Sequence, residues 1–273
     1  MPELPEVELV VRDLEHEVVG CAVEGVELIW PGYLEGIEPE NFAKRLIGQD
    51  FRGAERIGKF ILLRLDDAAL LVHLRMTGKI LKLPPESEAP PHTHVLLSLD
   101  DGSRLAFSDV RKFGRLRVVS VGEIAQTIDS LGLGVEPLER SFAGGRLREL
   151  FRGRRRSIKS ALLDQSLVAG IGNIYACEIL FAARIGPARP AGSLSRGELT
   201  CLVRAARRIL KAAIDLGGAS LRDYRHLDGG GGRMQNSFKV YARESEPCHR
   251  CGGTIRRIVQ SGRGTFWCPC CQV

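Results

Sequence analysis

No apolar run in the 273 residues approaches the ~20 needed to cross a bilayer. The opening stretch, Met1-Pro2-Glu3-Leu4-Pro5-Glu6, has neither the basic n-region nor the apolar h-region of a secretory signal. No internal repeat organises the chain. These absences point away from membrane-spanning and secreted classes and predict a cytoplasmic protein. In that compartment the eight cysteines are not expected to form disulfides.

What is there supports a folded protein of one large domain or two ordinary ones, with 44% hydrophobic residues to build a core. The net charge of +6 conceals an asymmetry. Residues 1–140 hold 16 Lys+Arg against 24 Asp+Glu, and residues 141–273 hold 23 against 9. A basic half beside an acidic one predicts two parts and a polyanionic partner.

The local patterns divide the chain in the same way. Residues 5–19 read as a helix, with Pro5 and Glu6 in its first turn and Val7, Val10, Val11, Leu14 and Val18 on one face. From about residue 22 to 120 the pattern is short apolar runs broken by turns, at Ala22–Ile29, Phe60–Leu65, Leu70–Leu74, Val95–Leu99, Arg104–Phe107 and Leu116–Val119. That predicts a β-sandwich or barrel, with a short helix over Pro39–Leu46 covering one end. Residues 132–139 read as a linker, after which helices take over. Ser195-Arg196-Gly197-Glu198 is a capping box, and the helix it opens stops at Gly217-Gly218. The run Gly229 to Gly232 reads as a flexible loop.

Two motifs carry chemistry. Cys248-x2-Cys251-x16-Cys268-x2-Cys271 has the paired spacing that converges four thiolates on one tetrahedral Zn²⁺, a closed and therefore structural site. A hairpin around Ser261-Gly262-Arg263 fits between the pairs. The stretch Lys159 to Ala176 reads as helix, Gly-containing turn, helix, with Asn173 at the N-cap of the second helix. Such an end offers backbone N–H groups to a phosphate, although helix packing alone also accounts for the pattern.

With Pro2-Glu3-Leu4-Pro5-Glu6-Val7 at the start, the 159–178 segment and the four cysteines, the chain resembles the formamidopyrimidine-DNA glycosylase family throughout its length. The resemblance implies an α+β fold of two domains. One is an N-terminal β-sandwich with a catalytic N-terminal helix, and the other a helical helix-two-turn-helix domain with a β-hairpin zinc finger. It divides the chain at 1–134, 135–240 and 241–273, with damaged double-stranded DNA in the cleft between domains and a monomer acting at the nucleoid. It implies excision of oxidised purines followed by strand nicking through β- and δ-elimination.

Residue by residue, the family's pattern makes Pro2 the nucleophile and Glu3 the proton donor. Lys59, His73, Asn173 and Arg263 become phosphate-holding groups, with Lys59 and Arg263 in the catalytic set. Met76, Arg111 and Phe113 enter the DNA stack, and His94 and Arg154 add DNA contacts. Singly, each has a plainer reading, such as a helix start for Pro2 or a core histidine for His73. Val110 and Lys112 depart from the family's usual choices. Two rivals differ at particular residues. The related endonuclease VIII enzymes have a different tetrapeptide after Pro-Glu and lack the Arg…Phe pair. A zinc-bearing DNA-binding protein without catalysis has no need of Pro2-Glu3.

Overall fold

The computed structural model describes residues 1–220 and 226–273. They form two compact units. Unit 1 comprises Met1–Leu131 with Leu216–Gln235, and unit 2 comprises Gly132–Asp215 with Asn236–Val273. The segment 216–235 thus packs with the first unit although it follows the longest helix of the second.

Unit 1 opens with α1 (Leu4–Glu17), whose Leu4, Val7, Val10, Val11 and Leu14 are buried. The predicted helical stripe is therefore its core face, and the helix starts and stops within two residues of expectation, the usual latitude at frayed ends. Eight strands follow: β1 (Val23–Leu28), β2 (Phe51–Ile57), β3 (Phe60–Leu65), β4 (Ala68–His73), β5 (Gly78–Leu83), β6 (Thr93–Leu99), β7 (Arg104–Asp109) and β8 (Arg115–Ser120). They make two four-stranded antiparallel sheets, ordered β1-β6-β7-β5 and β2-β3-β4-β8. Of the two architectures the sequence allowed, a sandwich is the one formed.

Its core draws on both sheets and on two helices. Ile61, Leu63 and Leu65 of β3 meet Val95, Leu97, Leu105 and Phe107 of the other sheet. Val10 and Leu14 of α1 join them, as do Phe42 and Leu46 of α2 (Pro39–Leu46). The opposite face of β3 and β4, with Leu62, Ala69 and Leu71, is covered by α3 (Ile124–Ser130) through Ile124. Burial on both faces explains why β3 and β4 read as near-continuous apolar runs rather than alternating ones.

The described residues of 216–235 are pinned to this unit. Ala219 N–H donates to Glu6 Oε1 at 2.9 Å, and Leu227 N–H donates to Asp13 Oδ2 at 3.3 Å. The Leu227 carbonyl in turn accepts from Lys82 N–H of β5 at 3.0 Å. The glycine run ends on a position that needs glycine. A Cβ on Gly232 would sit 2.1 Å from the carbonyl oxygens of Gly217 and Gly218, so only glycine lets the chain return past them.

Unit 2 is helical, with α4 (Gly144–Phe151), α5 (Ile158–Leu163), α6 (Asn173–Ala183) and α7 (Arg196–Asp215). Ser195 and Glu198 make the predicted capping box, Glu198 N–H to Ser195 Oγ at 3.3 Å and Ser195 N–H to Glu198 Oε2 at 2.8 Å. The expected linker is instead built into this unit. Gly134 and Val135 donate to the carbonyls of Gln165 and Leu167, because the 164–169 turn leaves acceptors that need partners. The unit closes with a hairpin of β9 (Arg256–Gln260) and β10 (Arg263–Trp267) joined by Ser261-Gly262. No helix among the described residues is long and apolar enough to cross a membrane.

Glu178 ties α6 to the chain entering the finger. Its carboxylate, 3% exposed, accepts N–H bonds from Lys239, Val240 and Tyr241 at 2.8–3.1 Å. Burial pushes this carboxyl up against the opposing pull of those N–H groups. Glu178→Ala would strip three donors of their acceptor and should cost about 3–5 kcal/mol. Glu178→Gln, which keeps one accepting oxygen, should cost less. Urea unfolding that places the alanine variant within about 1 kcal/mol of the parent, roughly the worth of one ordinary hydrogen bond, would show that the anchor is dispensable.

Candidate functional site

The first residues of the chain are locked rather than frayed, against the usual behaviour of termini. Pro2 is buried and Glu3 is 2% exposed. Glu3 is the N-cap of α1 and forms a reciprocal box with Glu6: its side chain accepts the Glu6 N–H, while its own N–H donates to Glu6 Oε2 at 2.9 Å. Glu6, also 2% exposed, spends its other oxygen on Ala219. The peptide that follows Pro2 is thus held from α1, with Met1 half exposed beyond it.

Lys59 lies in the two-residue Gly58-Lys59 turn between β2 and β3, 6% exposed. His73 is the last residue of β4, paired across the sheet with Phe60. Its ring stands edge-on to the Phe60 ring at 4.5 Å. Arg75 N–H donates to its Nδ1 at 2.9 Å, so in the neutral ring the proton sits on Nε2. Burial and the nearby cations Arg75 and Lys59 push its pKa down to about 3. His73 is therefore a neutral N–H donor, and β3 and β4 bring it to the same sheet end as Lys59.

Met76, Arg111 and Phe113 come from two different connections of unit 1, yet they touch. The Arg111 Nη1 lies 3.1 Å from Met76 Sδ, and its guanidinium stacks 4.7 Å over the Phe113 ring. Met76 is 41% and Phe113 45% exposed, so an apolar pair stands in solvent with a cation between them. His94 is placed elsewhere than at the surface. It is 3% exposed, packed beside Trp30 and Tyr33, and its Nε2 donates to the Asp109 carbonyl at 2.8 Å.

In unit 2, Asn173 is the first residue of α6 rather than its N-cap, which is Gly172. The Asn173 side chain has other duties. Its Oδ1 accepts from Lys159 Nζ at 2.7 Å, and its Nδ2 donates to the Gly264 carbonyl at 3.0 Å. Because an ammonium only donates and a carbonyl only accepts, the amide orientation is fixed. Lys159, fully buried, also donates to Thr265 Oγ1 at 2.6 Å and to the Gly264 carbonyl at 3.2 Å. It joins α5, α6 and the hairpin beside Arg263, which is exposed at the start of β10. Sequence reasoning gives Lys159 no role; the one signal is a lysine on a helix face otherwise made of Ile158, Ala161 and Leu162. Arg154 is exposed, its Nε on the Leu150 carbonyl at 2.6 Å.

The sulfurs of Cys248, Cys251, Cys268 and Cys271 all lie within 4.8 Å of one another. Cys251 and Cys268 are 3.5 Å apart, and Cys248 and Cys271 4.0 Å. Four ligands at 2.3 Å in a tetrahedron would stand roughly 3.8 Å apart, so the donor set fits zinc. Cys248 and Cys268 are buried against Cys177 and Phe181 of α6, and with Ile255 and Val240 they form the finger's small core.

Comparison with known proteins bears directly on this arrangement. The family model of the formamidopyrimidine-DNA glycosylase N-terminal domain matches residues 1–116, and that of the same enzymes' H2TH domain matches 133–225. A zinc finger found in FPG and IleRS matches 245–273. The formamidopyrimidine-DNA glycosylase of Desulfitobacterium hafniense is 44% identical and that of Roseiflexus sp. 46%, each covering 100% of both chains. The chain belongs to the formamidopyrimidine-DNA glycosylase family. The Lactococcus lactis Fpg bound to abasic-site DNA superposes with a TM-score of 0.93 at 36% identity, over 99% of each chain. The wild-type Fpg of the same organism, bound to DNA containing N7-benzyl-Fapy-dG, gives 0.93 at 37% over the same share. Membership in this family and the geometry of the donor set agree on one structural zinc at Cys248, Cys251, Cys268 and Cys271.

Proposed function

We propose that this member of the family is a bifunctional glycosylase and lyase that removes oxidised purines, 8-oxoguanine and formamidopyrimidines, from duplex DNA. The observation that carries the reading is the locked terminus, where Glu3 and Glu6 fix the backbone beside Pro2. Once Met1 is removed, Pro2 is a secondary amine. An α-amino group has a reference pKa of about 7.7–8.0, so part of it is neutral and nucleophilic at cellular pH.

Its nitrogen attacks C1′ of the damaged nucleotide, which must first leave the helix because C1′ and the base edges are unreachable in the stack. The C1′–N9 bond breaks and the base departs. Glu3 protonates the ring oxygen as the sugar opens, leaving a Pro2–C1′ iminium. That cation acidifies the C2′ proton. Its loss expels the 3′ phosphate, and a second elimination expels the 5′ phosphate. Hydrolysis of the imine linkage restores Pro2.

The remaining residues hold the duplex. Lys59 and His73 in unit 1, and Asn173 and Arg263 in unit 2, are phosphate-holding groups, with exposed Arg154 beside the second pair in role. Met76, Arg111 and Phe113 fill the space the lesion vacates, Arg111 facing the orphaned cytosine. His94 serves DNA contact through the connection it supports. The segments 1–134, 135–240 and 241–273 then correspond to catalysis, the helix-two-turn-helix and the finger. The protein works as a monomer on nucleoid DNA in the cytoplasm.

The test is strand nicking on a duplex bearing one 8-oxoguanine opposite cytosine, with borohydride added to trap the iminium. A nick with both sugar eliminations and a covalent DNA adduct is expected; binding without a nick would leave only a DNA-binding protein.

The two kinds of phosphate donor make different predictions. Lys59 and Arg263 carry charge, and each alanine substitution should lower the salt slope of DNA binding by about 0.9, the counterions of one phosphate. His73, neutral, should lose affinity on substitution by alanine while leaving that slope unchanged. Equal slopes for parent and Lys59→Ala would show that Lys59 faces no phosphate.

A further inference from the structure

Strand β7 ends at Asp109, which is 0% exposed and lies opposite Gly78 in the sheet. All of its polar atoms are hydrogen-bonded, most of them to the two connections that carry the exposed triad. Oδ1 accepts from the Thr77 hydroxyl and from Arg111 N–H at 3.1 Å. Oδ2 accepts from the N–H groups of Phe113 and Gly114, both at 2.8 Å. The Asp109 carbonyl accepts from Lys112 N–H at 3.2 Å and from His94 Nε2 at 2.8 Å, and its N–H donates to the His92 carbonyl. Lys112 takes the left-handed φ of 57° that turns the chain back over the carboxylate. Gly114 closes the turn against Tyr33, whose hydroxyl would lie 1.9 Å from any Cβ there.

Four consecutive residues, Val110 to Phe113, are exposed above this one buried carboxylate. Thr77, bonded to the same oxygen as Arg111, directly follows Met76. Arg111 N–H also reaches the Thr77 hydroxyl at 3.3 Å, so the two connections share a three-way junction. A hydrophobic wedge on loops would ordinarily have to be ordered as it enters DNA. Here the ordering is already done within the free protein.

We propose that Asp109 is the positioning residue that joins Met76, Arg111 and Phe113 into one preformed wedge, and that it sets the efficiency of lesion opening and the preference for cytosine opposite the lesion. The inference rests on the reading of those three side chains as the residues that enter the stack. A carboxylate is required because four converging donors need an acceptor-only group. An amide at the same place would turn an NH2 toward at least one of them.

The test uses the full-length chain and an 8-oxoguanine:cytosine duplex with 2-aminopurine next to the lesion, whose fluorescence rises as the stack opens. Asp109→Asn, Thr77→Val, Arg111→Ala and Phe113→Ala are compared for thermal midpoint, DNA affinity, fluorescence rise at saturating protein, and single-turnover excision opposite cytosine and adenine. Thr77→Val removes the hydroxyl and both of its bonds with little change of volume, leaves the carboxylate in place, and serves if Asp109→Asn folds poorly. We expect Asp109→Asn to open and excise slower by roughly 100-fold, the scale of an ångström misplacement, and to lose cytosine preference as Arg111→Ala does. Thr77→Val should move the same readouts less, and both should keep near-parental affinity. If Arg111→Ala and Phe113→Ala lose opening while Asp109→Asn and Thr77→Val keep it, the inference is overturned and the wedge reading stands. If affinity and opening fall together in Asp109→Asn and Thr77→Val moves neither, Asp109 is merely structural and the inference is overturned. If neither Arg111→Ala nor Phe113→Ala affects opening, the wedge reading fails and takes the inference with it.

Discussion

Protein that retains Met1 should bind damaged DNA and leave the strand uncut. With Met1 attached, the Pro2 nitrogen is a tertiary amide whose lone pair is delocalised into the carbonyl, and it has no nucleophilic form at any pH. Losing a covalent nucleophile from a site that otherwise stays intact costs on the order of 10⁶-fold in turnover. The residues proposed to hold phosphates are untouched, so affinity should change little. Pro2 is small enough for Met1 to be removed, and Met1 is 47% exposed. An N-terminal tag should have the same effect as retained Met1.

Glu3→Gln separates the acid from the nucleophile. The variant keeps Pro2 and an acceptor for the Glu6 N–H, so α1 should still be capped. It loses the proton for the ring oxygen, and base excision should fall by about 10²–10⁴-fold. Mass spectrometry of the purified protein, single-turnover nicking and borohydride trapping measure all three outcomes. Full cleavage by a preparation shown to carry Met1 throughout would overturn the mechanism.

Removing zinc should have the next largest effect, and a selective one. A two-stranded hairpin is marginal on its own, and β9–β10 is held by the four-cysteine centre and by Lys159 at Gly264 and Thr265. Zinc binding in such peptides supplies about 10–16 kcal/mol, as much as the whole stability of an ordinary domain. Cys251→Ser or a strong chelator should therefore melt the hairpin, release Arg263 and abolish specific DNA binding. The sandwich has its own core, from Val10 to Phe107, and should keep its unfolding transition. Metal analysis should return one zinc per chain. Pure, active protein without zinc would refute the assignment.

Several parts of this molecule are legible before any fold is known, because their signals are local. The cysteine pairs, the Ser195–Glu198 box and the apolar face of α1 each depend on spacing along one element, and each is formed as expected. The inner strands β3, β4, β6 and β7 show themselves as largely apolar runs because most of their side chains are buried. The strands that go unseen are β2 and β5, and both lie at sheet edges. Arg52, Glu55 and Arg56 on one, and Lys79 and Lys82 on the other, interrupt the apolar pattern, since an edge gains by carrying charges that discourage further pairing.

The site divides along the same line. Family resemblance in the sequence assigns Pro2, Glu3, Lys59, His73 and the wedge residues as candidates, but their states come from the fold. His73 is neutral because β4 buries it beside Lys59 and Arg75, and His94 is spent inside the unit on Asp109. Asp109, Lys159 and Glu178 draw no notice in the sequence, because each has at least one partner far along the chain. Thr77 is 32 residues from Asp109, Thr265 is 106 from Lys159, and Val240 is 62 from Glu178. A charged residue with such partners looks in sequence like any solvated charge. Periodicity and spacing determine which faces are buried and which thiolates converge. Only tertiary structure decides which buried polar groups meet, because the cost of leaving one unpaired is settled by whatever distant chain packs against it.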